Sequence, residues 1–212
     1  MNLIDVPAKD AKADALRKII AAAEMEFSER GFDGAGMKAI AARADVSQSL
    51  LHYHFGSKDK LYAAVIQTRS SLINNERLAL LNAVDLNAAD GLKNVFRAMF
   101  SPALGPSGGG RAYARIFAGL IAGNARDQAL VKDNYDETAQ VFIKAIQTCL
   151  PGIEPNAASH IYLSALGVLA MSLARDGRAA RLVGMREVTD NEALVETLTC
   201  FAVGGAKAIK SR

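Results

Sequence analysis

Apolar positions repeat at helical spacing along nearly the whole chain. Leu16, Ile19, Ile20, Ala23 and Phe27 recur at i, i+3, i+4, i+7 and i+11, one face of a helix that Gly31 would end. A short second helix over about Met37 to Ala44 would bury Met37, Ile40 and Ala41. A third begins behind Ser47, a good N-cap, and ends near Gly56. Ser57 can cap a fourth, with Asp59 in its first turn favoured by the helix dipole. This helix continues to about Val84 with Leu61, Val65, Leu72 and Leu80 inward. Further helices are predicted at about 88–101, 111–124, 127–149, 156–176 and 190–209, the last behind the capping box Thr189-Asp190-Asn191-Glu192. No stretch alternates with the period of two that a strand requires.

The breakers agree with this reading. Pro7 precedes the first helix, while Pro102 with Pro106 and Pro151 with Pro155 mark loops, so no proline is expected inside a helix. Ser107-Gly108-Gly109-Gly110 reads as a flexible loop. It lacks the Lys-Ser/Thr ending and the preceding strand of a phosphate loop. The fold class is therefore all-α, with about nine helices in 212 residues.

Composition adds little to that picture and excludes some classes. Hydrophobic residues make up 50% of the chain and charged residues 22%, the balance of an ordinary globular protein. The opening Met1-Asn2-Leu3-Ile4-Asp5-Val6-Pro7 lacks the basic and apolar regions of a signal peptide. The most apolar run, Ile161 to Ala174, is short for a membrane span of ~20 residues and reads as a buried helix. Cys149 and Cys200 sit in apolar stretches without partners at metal-ligand spacing and read as buried free thiols. The expectation is a cytoplasmic protein with no metal and no cofactor. The net charge of +3 does not point to nucleic acid. Met1 to Tyr62 carries nine basic and nine acidic residues, so any case for DNA must rest on a local constellation.

That constellation lies between Gly36 and Tyr62. Two short helices are separated by Ala44-Asp45-Val46-Ser47, the length of turn found between the helices of a helix-turn-helix motif. Val46 would plug the angle between them, above Ile40, Ala41, Leu51 and Phe55. Asp45 is one of the few non-glycine residues that tolerates left-handed backbone angles. Gln48, Ser49, His52 and Tyr53 share one face of the third helix, opposite Leu51 and Phe55. Glutamine can pair with adenine through two bonds, and serine can reach base edges. Such a helix enters a major groove with its N-terminal residues against bases. Tyr53, His54 and Lys58 are suited to phosphate, helped by the free backbone donors where the fourth helix starts. The i, i+2 spacing of His52 and His54 points them apart, which argues against a metal pair.

From Ile19 to Ile66 the chain resembles the DNA-binding domain of the TetR family of bacterial regulators. The resemblance is carried by Ile20-Ala21-Ala22-Ala23 with Phe27, Gly31-Phe32, Ile40-Ala41-Ala42-Arg43-Ala44, Val46-Ser47, Leu51, Tyr53-His54-Phe55, Ser57-Lys58 and Leu61-Tyr62. Three positions depart from the family pattern. Gly36 stands where Ser or Thr usually caps the second helix, and Asp45 replaces the usual turn glycine. His52-Tyr53 stands where Tyr-His or Tyr-Tyr is commoner, which leaves open which of the two touches phosphate. The expected organisation is a helix-turn-helix domain of three helices over 12–62, with the motif at about 36–55, and a helical bundle domain for ligand binding and dimerisation over 63–212. The candidate DNA-binding residues are Gly36, Lys38, Ser47, Gln48, Ser49, His52, Tyr53, His54 and Lys58.

No nucleophile in the rest of the chain has a base at a recognisable spacing, so no enzyme is expected. The helices at about 156–176 and 190–209 are apolar or small on more than one face, which suits one side on the chain's own core and the other on a second subunit. The resemblance implies a homodimer through these two helices. It also implies a pseudo-palindromic double-stranded DNA operator and repression relieved by a small-molecule effector. Candidate pocket residues are Met99, Phe100, Phe117, Leu120, Tyr135, Phe142 and Tyr162. The C-terminal half is weakly similar to the PsrA-like subgroup of the family, which implies an apolar effector. The competing expectation is a helical ligand-binding protein whose DNA binding has lapsed, supported by the charge balance of the first 62 residues.

Overall fold

A computed structural model describes residues 8–173, 177–186 and 190–211, with side chains from Lys12 onward. Pro7, Thr189 of the expected capping box and the expected last turn of the helix at 156–176 lie outside the described residues. Among the described residues there are ten α-helices and no strand. They are α1 (Ala8–Gly34), α2 (Met37–Arg43), α3 (Gln48–Phe55), α4 (Lys58–Asn82) and α5 (Gly91–Leu104), then α6 (Gly110–Ile121), α7 (Ala125–Cys149), α8 (Pro155–Leu173), α9 (Arg178–Leu182) and α10 (Asn191–Lys210). Nine of these are the helices the periodicity predicts. The tenth, α9, has five residues and none buried, so it carries no apolar stripe to read. The chain divides into two compact units, one ending at Thr68 and the other starting at Arg69.

In the first unit, Ile19, Ala23 and Phe27 of α1 are buried with Ile40 and Ala41 of α2, Leu51 of α3 and Leu61, Val65 and Ile66 of α4. Phe27 meets Tyr62 edge-on at 4.9 Å between ring centres. Gly31 breaks α1 as expected, with φ 67°, and a short final stretch reaches Gly34. Arg43 at the end of α2 grips Glu29 of α1 through two bonds of 3.0 and 2.7 Å. Hydrogen bonding to Glu29 holds the Arg43 guanidinium above its ordinary value. This pair orients α2 and leaves Arg43 committed to the protein.

The second unit has its own apolar cluster, with Val95, Phe96, Met99 and Phe100 of α5, Phe142 and Ile146 of α7, and Ile161 and Leu169 of α8. Lys93 and Arg97 of α5 both reach Glu196 of α10, at 2.6 and 3.0 Å.

Several expectations need correction. Leu72 and Leu80 of α4 are exposed, because the helix turns Ile66, Ser70, Ile73, Asn74, Arg77 and Leu81 inward instead. That buried stripe includes three polar residues, Ser70, Asn74 and Arg77, so hydrophobicity alone points to the wrong face. Pro102 lies inside α5, near its C-terminal end, where it removes one donor from the helix ladder, while the Ser101 hydroxyl donates to the Arg97 carbonyl. Pro155 opens α8 at the first position, where its lost donor costs nothing. The expected flexible loop at Ser107 to Gly110 is ordered: Pro106–Gly108 form a 3₁₀ turn, and a Cβ on Gly108 would lie 1.9 Å from the Ala103 carbonyl oxygen. The cap of α10 is Asp190, which accepts from Ala193 N at 3.0 Å. A full capping box occurs instead at α7, between Asn124 and Asp127. Both cysteines are free thiols, but neither is buried: Cys149 is half-buried, donating to the Leu86 carbonyl, and Cys200 is exposed.

Helix α8 has 19 residues and is apolar and long enough, by length and composition alone, to cross a membrane. A third of it is buried within the chain. Its free face carries Leu163 at 57% and Met171 at 75% exposure, and α10 carries Phe201 at 67%. No Lys, Arg, Asp or Glu occurs in α8.

Candidate nucleic-acid interface

The geometry of the site follows from two short helices fixed at their junction. Val46 N bonds back to the Ala41 carbonyl at 3.0 Å, so the chain turns tightly after α2. Asp45 makes that turn with φ 54°, the single positive φ among the described residues other than glycine. Ser47 then enters α3 in an extended conformation, and its Oγ accepts from Leu50 N at 3.1 Å. Leu51 is fully buried, while Val46 and Phe55 are half-buried. Ser47→Ala is expected to lower stability by about 1 kcal/mol, read as a shift of the urea midpoint with unchanged slope.

The outward face is Gln48, Ser49, His52 and Tyr53, all exposed, with Tyr53 at 78%. A hydrogen-bond chain runs along it. His52 Nδ1 lies 3.2 Å from the Gly56 carbonyl, which can only accept, so the ring proton sits on Nδ1. His52 Nε2 is then an acceptor for the Gln48 amide Nε2 at 3.4 Å. Gln48 keeps one N–H and its carbonyl oxygen for another partner. One donor beside one acceptor is the pattern that matches the N7 and N6 edge of adenine.

The remaining candidates differ in how free they are. Lys38 is exposed on α2, and Gly36 caps that helix in an extended conformation without a side-chain bond. His54 is half-buried, with its ring edge-on to both Tyr53 and Phe55. Lys58 is held inside the unit: its ammonium donates to the Asp33 and Ala35 carbonyls at 3.2 and 3.1 Å and lies 4.6 Å from the Phe32 ring centre. Of its three donors, one is left for a phosphate. Its first role is to tie the end of α1 to the start of α4.

Of the expected pocket residues, Phe117 and Tyr135 line a narrow cleft in the second unit with about 10 Å³ of open space, room for a single water molecule. Met99, Phe100, Leu120, Phe142 and Tyr162 are buried but line neither this cleft nor the larger cavity beside it. Their side chains fill the core instead. Arg77 and Tyr113 line the cleft and went unread in the sequence. The signal for Arg77 was present: it falls at i+4 from Ile73 and i+11 from Ile66, a charge within an inward stripe.

An N-terminal helix-turn-helix unit with an exposed polar recognition face, followed by an all-helical unit, defines the class of helix-turn-helix transcriptional regulators. Residues 19–65 match the profile of the bacterial regulatory proteins of the tetR family, and residues 94–205 match that of the tetracyclin repressor-like C-terminal domain. The chain belongs to the TetR family. It is 46% identical over 68 residues to the HTH-type transcriptional activator FasR of Mycolicibacterium smegmatis, covering 32% of this chain and 31% of that one. It is 36% identical over 58 residues to the negative transcriptional regulator IcaR of Staphylococcus aureus, covering 27% of this chain and 31% of that one. These matches span about a third of the curated relatives' length. A crystal structure of a TetR-like regulator from Rhodococcus is 25% identical, with a TM-score of 0.61 over 90% of this chain and 96% of that one.

Proposed function

We propose that the protein is a sequence-specific DNA-binding transcriptional regulator that acts as a homodimer and represses until a small-molecule effector releases it. The observation that carries the reading is the recognition face of α3. Four hydrogen-bonding side chains are exposed there, on a helix whose cap, turn and buried Leu51 fix its orientation. Two copies, presented about 34 Å apart in a dimer, reach successive major grooves of a pseudo-palindromic operator. Gln48 and Ser49 read base edges. Ser47, Tyr53, His54, Lys38 and the free donor of Lys58 hold phosphates, and the backbone at Gly36 lies beside them. His52 positions Gln48 through the bond just described.

The dimer is supported by the exposed, uncharged faces of α8 and α10, and these would also cover Cys200. A cavity of about 350 Å³ in the second unit, lined by Ala103, Leu104, Gly110 and Leu173 among others, supports a small effector. That effector shifts the protein only by its unequal affinity for the bound and released states. FasR is named an activator and IcaR a negative regulator, so the sign of regulation rests on occlusion of a promoter as the simplest outcome of operator binding.

Selection of genomic DNA fragments by the purified protein at near-physiological salt tests the reading. Recovery of an inverted repeat supports it. Recovery of nothing specific would return the advantage to the lapsed binder. A second measurement separates the roles. Gln48→Ala is expected to relax preference at one base pair per half-site, by about 1–3 kcal/mol, whereas Tyr53→Ala weakens all sequences alike. Uniform loss from both variants would show that Gln48 does not read bases.

A further inference from the structure

His52 stands on the recognition face, and the fold gives its two ring nitrogens unlike neighbours. Nδ1 lies 3.2 Å from the Gly56 carbonyl, and Nε2 lies 3.4 Å from the Gln48 amide nitrogen. The Gly56 carbonyl is held in place, because Gly56, at φ 70°, donates its own N–H to the His52 carbonyl at 2.8 Å. Imidazole and helix cap thus grip each other at the end of α3. A carbonyl only accepts, so it keeps a proton on Nδ1 whether the ring is neutral or charged. A second proton has one place left. It lands on Nε2, against Gln48.

Gln48 must answer to that proton. A neutral ring accepts at Nε2, so Gln48 turns its amide nitrogen to the ring and keeps one N–H and its carbonyl oxygen for DNA. That pair matches the N7 and N6 edge of adenine. A charged ring donates at Nε2. The amide nitrogen cannot accept, so the side-chain amide rotates and offers its oxygen to the ring instead. Its NH2 group then faces DNA with donors alone. Donors alone match guanine, whose major-groove edge presents N7 and O6, both acceptors.

No neighbouring side chain competes for the ring. The charged and titratable groups of the motif are Lys38 and Arg43 of α2, Asp45 of the turn, Tyr53 and His54 of α3, and Lys58 with Asp59 at the start of α4. None of them hydrogen-bonds to His52, whose partners are Gln48 and Gly56. Arg43 is committed to Glu29, and Lys58 to the Asp33 and Ala35 carbonyls. Helix α3 itself has no carboxylate. His52 is exposed, so protons reach it from solvent. A purely structural role, fastening the end of α3, would use Nδ1 alone and would not tie base preference to pH.

We propose that His52 is a specificity-determining residue: the charge state of its ring sets whether Gln48 reads adenine or guanine. An imidazole changes charge between about pH 5 and 8, so the preferred operator changes across that range. The proposal rests on the base-reading role of Gln48 given above and adds its control by protons.

The test compares paired DNA duplexes on the full-length protein. The base pair read by Gln48 is first found as the one where Gln48→Ala relaxes preference. Two duplexes of the selected inverted repeat then carry adenine or guanine there. Anisotropy gives the ratio of their affinities at about pH 8 and about pH 5.5. A ratio cancels any uniform gain from added positive charge near phosphates. The adenine-over-guanine ratio is expected to fall about tenfold or more on acidification. In His52→Ala the ratio should be the same at both pH values. In His54→Gln it should fall as in the native protein, whatever that variant loses on both duplexes alike. A native ratio that ignores pH, a fall that persists in His52→Ala, or a fall that vanishes in His54→Gln would each overturn the proposal. Should His52→Ala fail to fold, the native protein and His54→Gln decide. A pH-independent ratio at a position that does depend on Gln48 sinks the proposal alone. If Gln48→Ala relaxes no position, the base-reading role falls and takes the proposal with it.

Discussion

Phe201→Asp is expected to give a folded monomer that has lost most of its affinity for an inverted repeat. Phe201 is 67% exposed in the single chain, so the substitution removes little of that chain's own packing. Around it on α10, Thr197, Cys200, Gly204, Gly205 and Ala208 are exposed and uncharged. A Cβ added at Gly204, Gly205 or Gly167 of α8 would meet nothing within 4 Å, so both helices present surfaces open to close approach. Leu163 and Met171 continue the apolar surface on α8. Two-fold symmetry enters every residue of such an interface twice, so one substitution places two unpaired carboxylates in it. Each costs several kcal/mol when desolvated without a partner. With the subunits apart, each recognition helix binds its half-site alone, and the gain from linkage, ~10²–10⁴-fold, is lost. Light scattering on the eluted protein reads the mass, and anisotropy reads the DNA affinity. Val141→Asp on α7, also an exposed apolar position, is the control and should stay dimeric. A Phe201→Asp protein that elutes as a dimer with native affinity would show that this face is not the interface.

The helices were legible because their cores are built on apolar stripes. Ile19, Ala23 and Phe27 are buried at the spacing the sequence shows, and Ser47 caps α3 through the bond its position predicts. Asp45 was legible for a different reason: few residues accept φ 54°, and it stands where the turn needs one. What failed was the reading of faces that bury polar groups. The inward stripe of α4 includes Ser70, Asn74 and Arg77, whose partners are the Asn134 side chain, the Asn134 carbonyl and the Met99 carbonyl. Those partners lie 22 to 64 residues away, beyond any local pattern. Leu72 and Leu80 were therefore assigned inward when they are exposed. Lys58 shows the same limit. As a cation near a helix N-terminus it reads as a phosphate ligand, and only the fold reveals that the Asp33 and Ala35 carbonyls hold it. Pocket lining is not legible in apolar spacing, because large apolar side chains in a dense interior fill space as readily as they bound it, and Phe100 and Phe142 are fully packed in the core.

Leu51→Ala is expected to abolish DNA binding while leaving the second unit folded. Leu51 is the buried residue of α3 and is fully inaccessible, as is Ile40 of α2. Removing such a side chain costs about 2–5 kcal/mol, through lost transfer energy and the cavity left behind. A unit of this size buries only ~60% of its extended surface and has little stability to spare. With α3 only eight residues long, no local helix propensity can replace the lost anchor. The apolar cluster of the second unit draws on residues from Leu81 to Ala206 and includes neither Leu51 nor its buried neighbours. Circular dichroism should therefore lose the share of helix carried by the first unit, with a new low-temperature transition ahead of the main one. The mass of the assembly should be unchanged. Tyr53→Ala, at an exposed position on the same helix, separates folding from contact: it should lose DNA affinity and keep a single native melting curve. If Leu51→Ala melts and binds DNA as the native protein does, then Leu51 does not anchor the recognition helix, and the fixed orientation on which base reading depends has another source.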